Sequence, residues 1–154
     1  MTFIAGTGRS LILINQRRTK EMRKNQRLAK ITGAKLEIKE RNILNFWIFV
    51  DYEDGGSQGV GGLALDAWSE KDDRRIGTAY GCEMIRRILI TLNVDDFSEM
   101  SGKHIWVIGK GEGFSFKPTG ICRLRVDSKE EPKPLIFSHV YDEMTGTEGE
   151  SDED

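Results

Sequence analysis

Residues 46–66 read FWIFVDYEDGGSQGVGGLALD. An apolar and aromatic run, 46–52, enters a segment with glycines at 55, 56, 59, 61 and 62, and a short run, 63–66, leaves it. Two apolar runs separated by so much turn-forming sequence predict a pair of antiparallel strands and therefore a sheet protein. Glycines this dense mark backbone that takes unusual dihedrals or comes close to something else. Two readings of the loop stand side by side. One is a long hairpin connection, and the other is a nest of successive amides shaped for an anion. No Gly-Lys-Ser/Thr closes the loop and a strand follows it, so it is neither a P-loop nor a dinucleotide fingerprint.

Working outward, Ala34, Leu36 and Ile38 alternate with Lys35, Glu37 and Lys39, the pattern of a half-buried strand. A turn at 40–42 joins it to a nearly continuous apolar run at 43–50, expected to be a central strand covered on both faces. Residues 68–75 read as a polar connection. Thr78 is a helix N-cap candidate for AYGCEMIRRILITL, whose Gly81, Cys82, Ile85, Ile88, Leu89 and Leu92 share a face. Small Gly81 and Cys82 would let its first turns lie close to a sheet, Glu83 can pair with Arg87, and Asn93 suits the helix end. Phe97 and Met100 then plug the core edge. Further strands are expected at 104–108, at 114–126 with an interruption at Pro118, and at 135–141. The fold expectation is α+β: an antiparallel sheet of five or six strands, one main amphipathic helix packed on one face, and disordered termini.

The chain has 154 residues and a net charge of −2, with 31% charged residues. That length suits one domain, read as 34–141, with a basic segment at 1–33 and an acidic tail at 142–154. Arg17, Arg18, Lys20, Arg23, Lys24, Arg27 and Lys30 face a single acid, Glu21, whereas 142–154 has seven acids and no base. Both blocks read first as solvated segments. The Arg17-Arg18 pair can be encoded by a ribosome-binding sequence just ahead of Met22. Residues 1–21 are therefore open to two readings, a translated leader or part of a basic helix at 10–30. No apolar run is long enough to span a bilayer, and residues 1–14 lack the order of charges and the cleavage site of a secretion signal. Cys82 and Cys122 match no metal or redox spacing and are expected to be reduced thiols.

No residue pattern signals catalysis. His104 and His139 lack partners at a recognisable spacing, and no cofactor or metal set stands out, so a non-enzyme is expected. Arg74 and Arg75, ahead of the helix start, could clamp a phosphate or pair with Asp66, Asp72 or Asp73. Trp106, Phe114 and Phe116 could stack on a base or fill the core. Arg123 and Arg125 share the polar face of a strand. The basic segment could contact nucleic acid through phosphates, and a sheet edge or the charged tails could inhibit a host protein by direct contact.

Residues 35–108 carry an ordered set of segments: VDYEDGGSQGVGGLALD, RRIGTAYGCEMIRRIL and LNVDDFSEMSGKHIWV. This order resembles small proteins of bacteriophage and prophage genomes and is similar to the phage Thoeris anti-defence sponge proteins. The resemblance implies an oligomeric protein in the cytoplasm of an infected bacterium. Such a protein would hold cyclic ADP-ribose isomers made by TIR-domain immune enzymes, or cyclic oligonucleotides, without cleaving them. It further implies that Gly55, Gly56, Ser57, Gln58 and Gly59 meet phosphate at a protomer interface. Arg74 and Arg75 would pair with the pyrophosphate, Phe97 would help shape a base pocket, and Arg123 and Arg125 would be further ligand contacts. The chain departs from the pattern at Glu53-Asp54, at the Pro118 hairpin and in its last strand, and the two acids oppose an anion beside the glycines.

Overall fold

The computed structural model describes residues 25–127 and 129–146. The 1–21 leader reading, the basic residues up to Lys24 and the acidic tail from 147 lie outside the described residues. Among the described residues eight strands and two α-helices follow in order: β1 Gln26–Lys39, β2 Ile43–Tyr52, β3 Ser57–Ala64, β4 Asp66–Ser69, β5 Arg74–Gly77, α1 Ala79–Leu92, β6 His104–Lys110, β7 Lys117–Arg123, β8 Leu135–Ile136 and α2 Phe137–Thr145. Six strands form one antiparallel sheet in the order β3-β2-β1-β6-β7-β8, and β4 and β5 form a separate hairpin. The protein is thus α+β, with α1 as its main helix.

The core lies between one face of the sheet and α1. Ile31, Phe46, Ile48, Val60, Ile105 and Ile121 from the strands meet Met84, Ile88 and Leu92 from the helix. Thr78 caps α1 by accepting from the amide of Gly81 at 2.9 Å, and Asn93 closes it in the left-handed conformation. Gly81 is needed for this docking, because a Cβ there would sit 1.9 Å from the carbonyl oxygen of Leu65. The opposite face of the sheet carries a smaller cluster of Leu28, Trp106, Cys122 and Leu124.

Several sequence expectations are corrected. β1 begins at Gln26, so residues 26–33 belong to the sheet interior and not to a basic tail or helix. The strand is anchored from both faces: Ala29 and Ile31 enter the main core, Leu28 enters the cluster on the opposite face, and Lys30 is left exposed. β2 is deeply covered on its helix face alone, since Phe49 on the other face is 37% exposed. The glycine loop is mostly strand: only residues 53–56 form the turn, and Gly59, Gly61 and Gly62 lie inside β3. Aromatic rings from β2 pack close against them. A Cβ at Gly59 would approach Trp47 to 2.9 Å, one at Gly62 would meet it at 2.4 Å, and one at Gly61 would meet Phe46 at 2.5 Å.

Residues 68–75 form most of the β4–β5 hairpin. Pro118 lies within β7, at a register shift where β6 tolerates a missing donor. The last strand stops at Ile136, and residues 137–145 form α2, so the acidic run from Asp142 starts on a helix. Arg87 ties the helices together, donating to both oxygens of Glu143 at 2.8 and 2.9 Å and to Glu83 at 2.6 Å. Tyr80 and Tyr141 meet edge to face. Cys82 is exposed and not on the buried helix face.

Candidate functional site

The residues singled out from sequence fall in four separate places. Gly55, Gly56, Ser57 and Gln58 lie at the β2–β3 turn, and Gly59 is half-buried against the Trp47 and Phe49 rings. Arg74 and Arg75 lie on the β4–β5 hairpin beside the opposite end of β2. The amide of Leu44 donates to Asp66 there, and from 44 to 52 the strand runs about 26 Å. Phe97 opens a 3₁₀ turn, Phe97–Glu99, and packs partly buried against the main core. Arg123 ends β7 and is paired with Glu130, while Arg125 lies 3.5 Å from Glu131. One ligand of nucleotide size does not reach all four.

The turn of 53–56 borders two adjoining clefts of about 420 and 440 Å³. Arg27 lines both. Its guanidinium lies 3.7 Å over the Tyr52 ring and 5.3 Å from the Phe116 ring, and donates to Asp54 at 2.7 Å and to the Gly55 carbonyl at 3.2 Å. Tyr52 donates to Gln58 Oε1 at 2.5 Å, and Gln58 in turn donates to the Phe116 carbonyl at 2.9 Å. Burial pushes the Tyr52 hydroxyl up to about 12, against the opposing pull of Arg27. Glu53, Asp54 and Glu112 line these clefts against the single cation Arg27, so the local field repels an anion. Trp106 and Phe116 are buried, leaving Phe114 as the exposed ring of the three aromatics considered from sequence.

The hairpin cleft has the opposite balance. It measures about 580 Å³, a size suited to a nucleotide-like ligand. Arg75 does not face it as a free cation. It grips Asp66 through Nε at 3.0 Å and Nη2 at 2.7 Å, and donates to the Asp66 carbonyl at 3.1 Å. The Arg75 guanidinium holds the Asp66 carboxyl below the usual carboxylate range, with help from the Leu44 amide. Sequence reading allowed that pair as the structural alternative to a phosphate clamp.

Two other cations remain on the wall. Among the described residues Arg74 donates to the Arg75 carbonyl alone, at 3.4 Å, and Arg41 joins it from the β1–β2 turn. Among the described residues neither guanidinium has a carboxylate at ion-pair distance. Trp68, 56% exposed, and Ile38, 64% exposed, complete an apolar side. With Asp66 taken up by Arg75, two arginines face one acid, Asp73.

Arg41 is the residue that sequence reading missed. It sits at φ 52, followed by Asn42 at φ 64, and the Ile43 amide donates to the Glu40 carbonyl at 3.2 Å. Glu40 is at positive φ as well, 28, and Lys39 pairs with Ile43, so the connection is three residues long and positive in φ throughout. Asn tolerates that geometry and arginine does not favour it. A signal was available in the sequence: Glu-Arg-Asn joins two strands with no glycine to take a left-handed position.

No helix among the described residues is long and apolar enough to cross a membrane, and none of their acidic, histidine or cysteine side chains cluster as metal ligands. No protein-family model matches the chain, and no curated protein sequence matches it either.

Proposed function

We propose that the protein binds and sequesters a cyclic nucleotide-type signal without cleaving it. Cyclic ADP-ribose isomers are the first candidates and cyclic oligonucleotides the second, in the manner of a phage anti-defence sponge. The observation that carries this reading is the pairing of two uncommitted guanidinium groups, Arg41 and Arg74, with the exposed Trp68 indole around one cleft. Guanidinium groups take phosphate oxygens with charge-assisted, often bidentate hydrogen bonds. An indole offers its face to a base or to a neighbouring cation. The reading moves the phosphate contact from the glycine turn, whose neighbours are acidic, to the hairpin, whose neighbours are basic. Arg75 then acts by holding Asp66 and with it the shape of the hairpin, and does not touch the ligand.

Isothermal titration with cyclic ADP-ribose isomers and with cyclic di- and trinucleotides tests this. Saturable heat is expected with at least one class, with quenching of tryptophan fluorescence and weakening at higher salt. The bound ligand is expected back intact after the protein is denatured. Recovery of a cleaved product would make the protein an enzyme, and absence of binding to either class would remove the reading.

A further inference from the structure

β1 is longer than the neighbour that covers it. β6 pairs with residues Gln26 to Lys30, and the Ile31 amide donates to Lys103, after which β1 continues to Lys39 beside β2 alone. On β2, Tyr52 and Leu44 direct their backbone groups to the β3 side, so Asn45, Trp47 and Phe49 face β1. Their partners Glu37, Lys35 and Gly33 face back. Ala34, Leu36 and Ile38 therefore turn their N–H and C=O groups outward along an edge that no strand among the described residues occupies. An open edge of this kind is a template for another strand. Leu36, 45% exposed, and Ile38 extend the apolar face past the end of the core.

The sequence of this edge is complementary to itself. Of the two-fold antiparallel registers, the one centred on Leu36 alone sets all three of Ala34, Leu36 and Ile38 against residues of the same set. Centred on Lys35 or on Glu37, the pairing sets lysine against lysine or glutamate against glutamate. Centred on Leu36, it sets Lys35 against Glu37 of the second copy and Glu37 against its Lys35, with Leu36 on Leu36 and Ile38 on Ala34. Opposite charges directly across strands stabilise, and like charges there destabilise. Lys35 and Glu37 already lie 2.9 Å apart on one face, so both charged groups are in place.

We propose that the free edge of β1 joins a second copy of this chain in a two-fold antiparallel pair centred on Leu36. The pair joins the two sheets through main-chain hydrogen bonds and covers Leu36 and Ile38. It does not depend on the ligand reading, since it uses no residue of the arginine cleft except the Ile38 wall.

Sedimentation velocity of the full chain without ligand is the test. The wild type is expected to be a dimer. Lys35→Glu and Glu37→Lys are each expected to weaken it about tenfold, because two attractive cross-strand pairs become repulsive. The double variant Lys35→Glu/Glu37→Lys restores the pairs and the dimer, and so does an equimolar mixture of the two single variants. As a second measurement, Leu36→Cys in a Cys82→Ser background is expected to cross-link on mild oxidation, since facing Cα atoms of a hydrogen-bonded pair lie about 5.5 Å apart. A wild type that stays monomeric, or a dimer that neither reversal weakens and Leu36→Cys does not cross-link, would overturn the proposal.

Discussion

The guanidinium of Arg27 lies flat over the ring of Tyr52, 3.7 Å from its centroid, while the Tyr52 hydroxyl turns away to Gln58. A cation from the basic sequence segment is thereby used as a structural plate at the end of the sheet. Tyr52 is 6% exposed, and burial dominates its titration, raising the hydroxyl from 10.0 to about 12. A group raised on folding stabilises the folded state below its unfolded value, and that contribution is lost as pH rises through the folded value. Tyr52 is therefore expected to ionise above the normal tyrosine range in an ultraviolet titration. Between pH 10 and about 12 the wild type should lose stability that Tyr52→Phe does not lose.

The glycines of β3 make a second prediction. Gly59 has ordinary extended backbone, so Gly59→Ala tests steric fit alone, and its Cβ would press on Trp47 at 2.9 Å. Overpacking of this kind costs about 1–3 kcal/mol. Chemical denaturation should show that cost in the wild-type background and little of it once Trp47 is alanine. Equal costs in both backgrounds would mean that the ring is not the cause.

Acid should act on the hairpin through Asp66. Its carboxyl is lowered by Arg75, so its contribution is present above the ordinary aspartate value of 3.8 and is lost as pH falls through the folded value. Asp66→Asn is expected to melt at a lower temperature than the wild type at neutral pH. The gap should narrow as pH falls below about 4, where Asp66 of the unfolded chain takes up its proton, and should close once pH has passed the lower folded value. A gap independent of pH would show that the pair is not the source.

Arg41 separates stability from binding. Its left-handed backbone is costly for arginine, so Arg41→Asn should stabilise the protein by about 1 kcal/mol. The same change removes one of the two cations on the cleft, and affinity for an anionic nucleotide should fall with it, as it should for Arg74→Ala. Thermal melting and titration calorimetry on the same sample check both. A stabilised variant with unaltered affinity would take Arg41 out of the binding reading.

The features most legible in the sequence were those with local causes. α1 runs from Ala79 to Leu92 between the Thr78 cap and Asn93, as its periodicity and end residues indicate, and Ile105 and Val107 turn to the main core while Trp106 turns away. The glycines were misread because density of glycine is the same signal for a mobile turn and for a strand under a large ring. Residues 137–145 were misread because Phe, Val and Tyr favour strands, whereas docking against Tyr80 and Arg87 holds them as helix. Of the candidate site, Arg74 was found from its place before the helix, but Arg41 and Trp68 enter the cleft only through the pairing of β1 with β2 and of β4 with β5.

Alternation, capping and turn chemistry in the chain were enough to determine an antiparallel α+β domain and its main helix, because each acts over a few residues. Which charges are spent and which remain open was decided by the tertiary structure. Asp66 neutralises Arg75 and Asp54 neutralises Arg27, while Arg41 and Arg74 are left facing a cleft. Such pairing depends on distances of a few ångströms between segments far apart in sequence, and no local pattern encodes them.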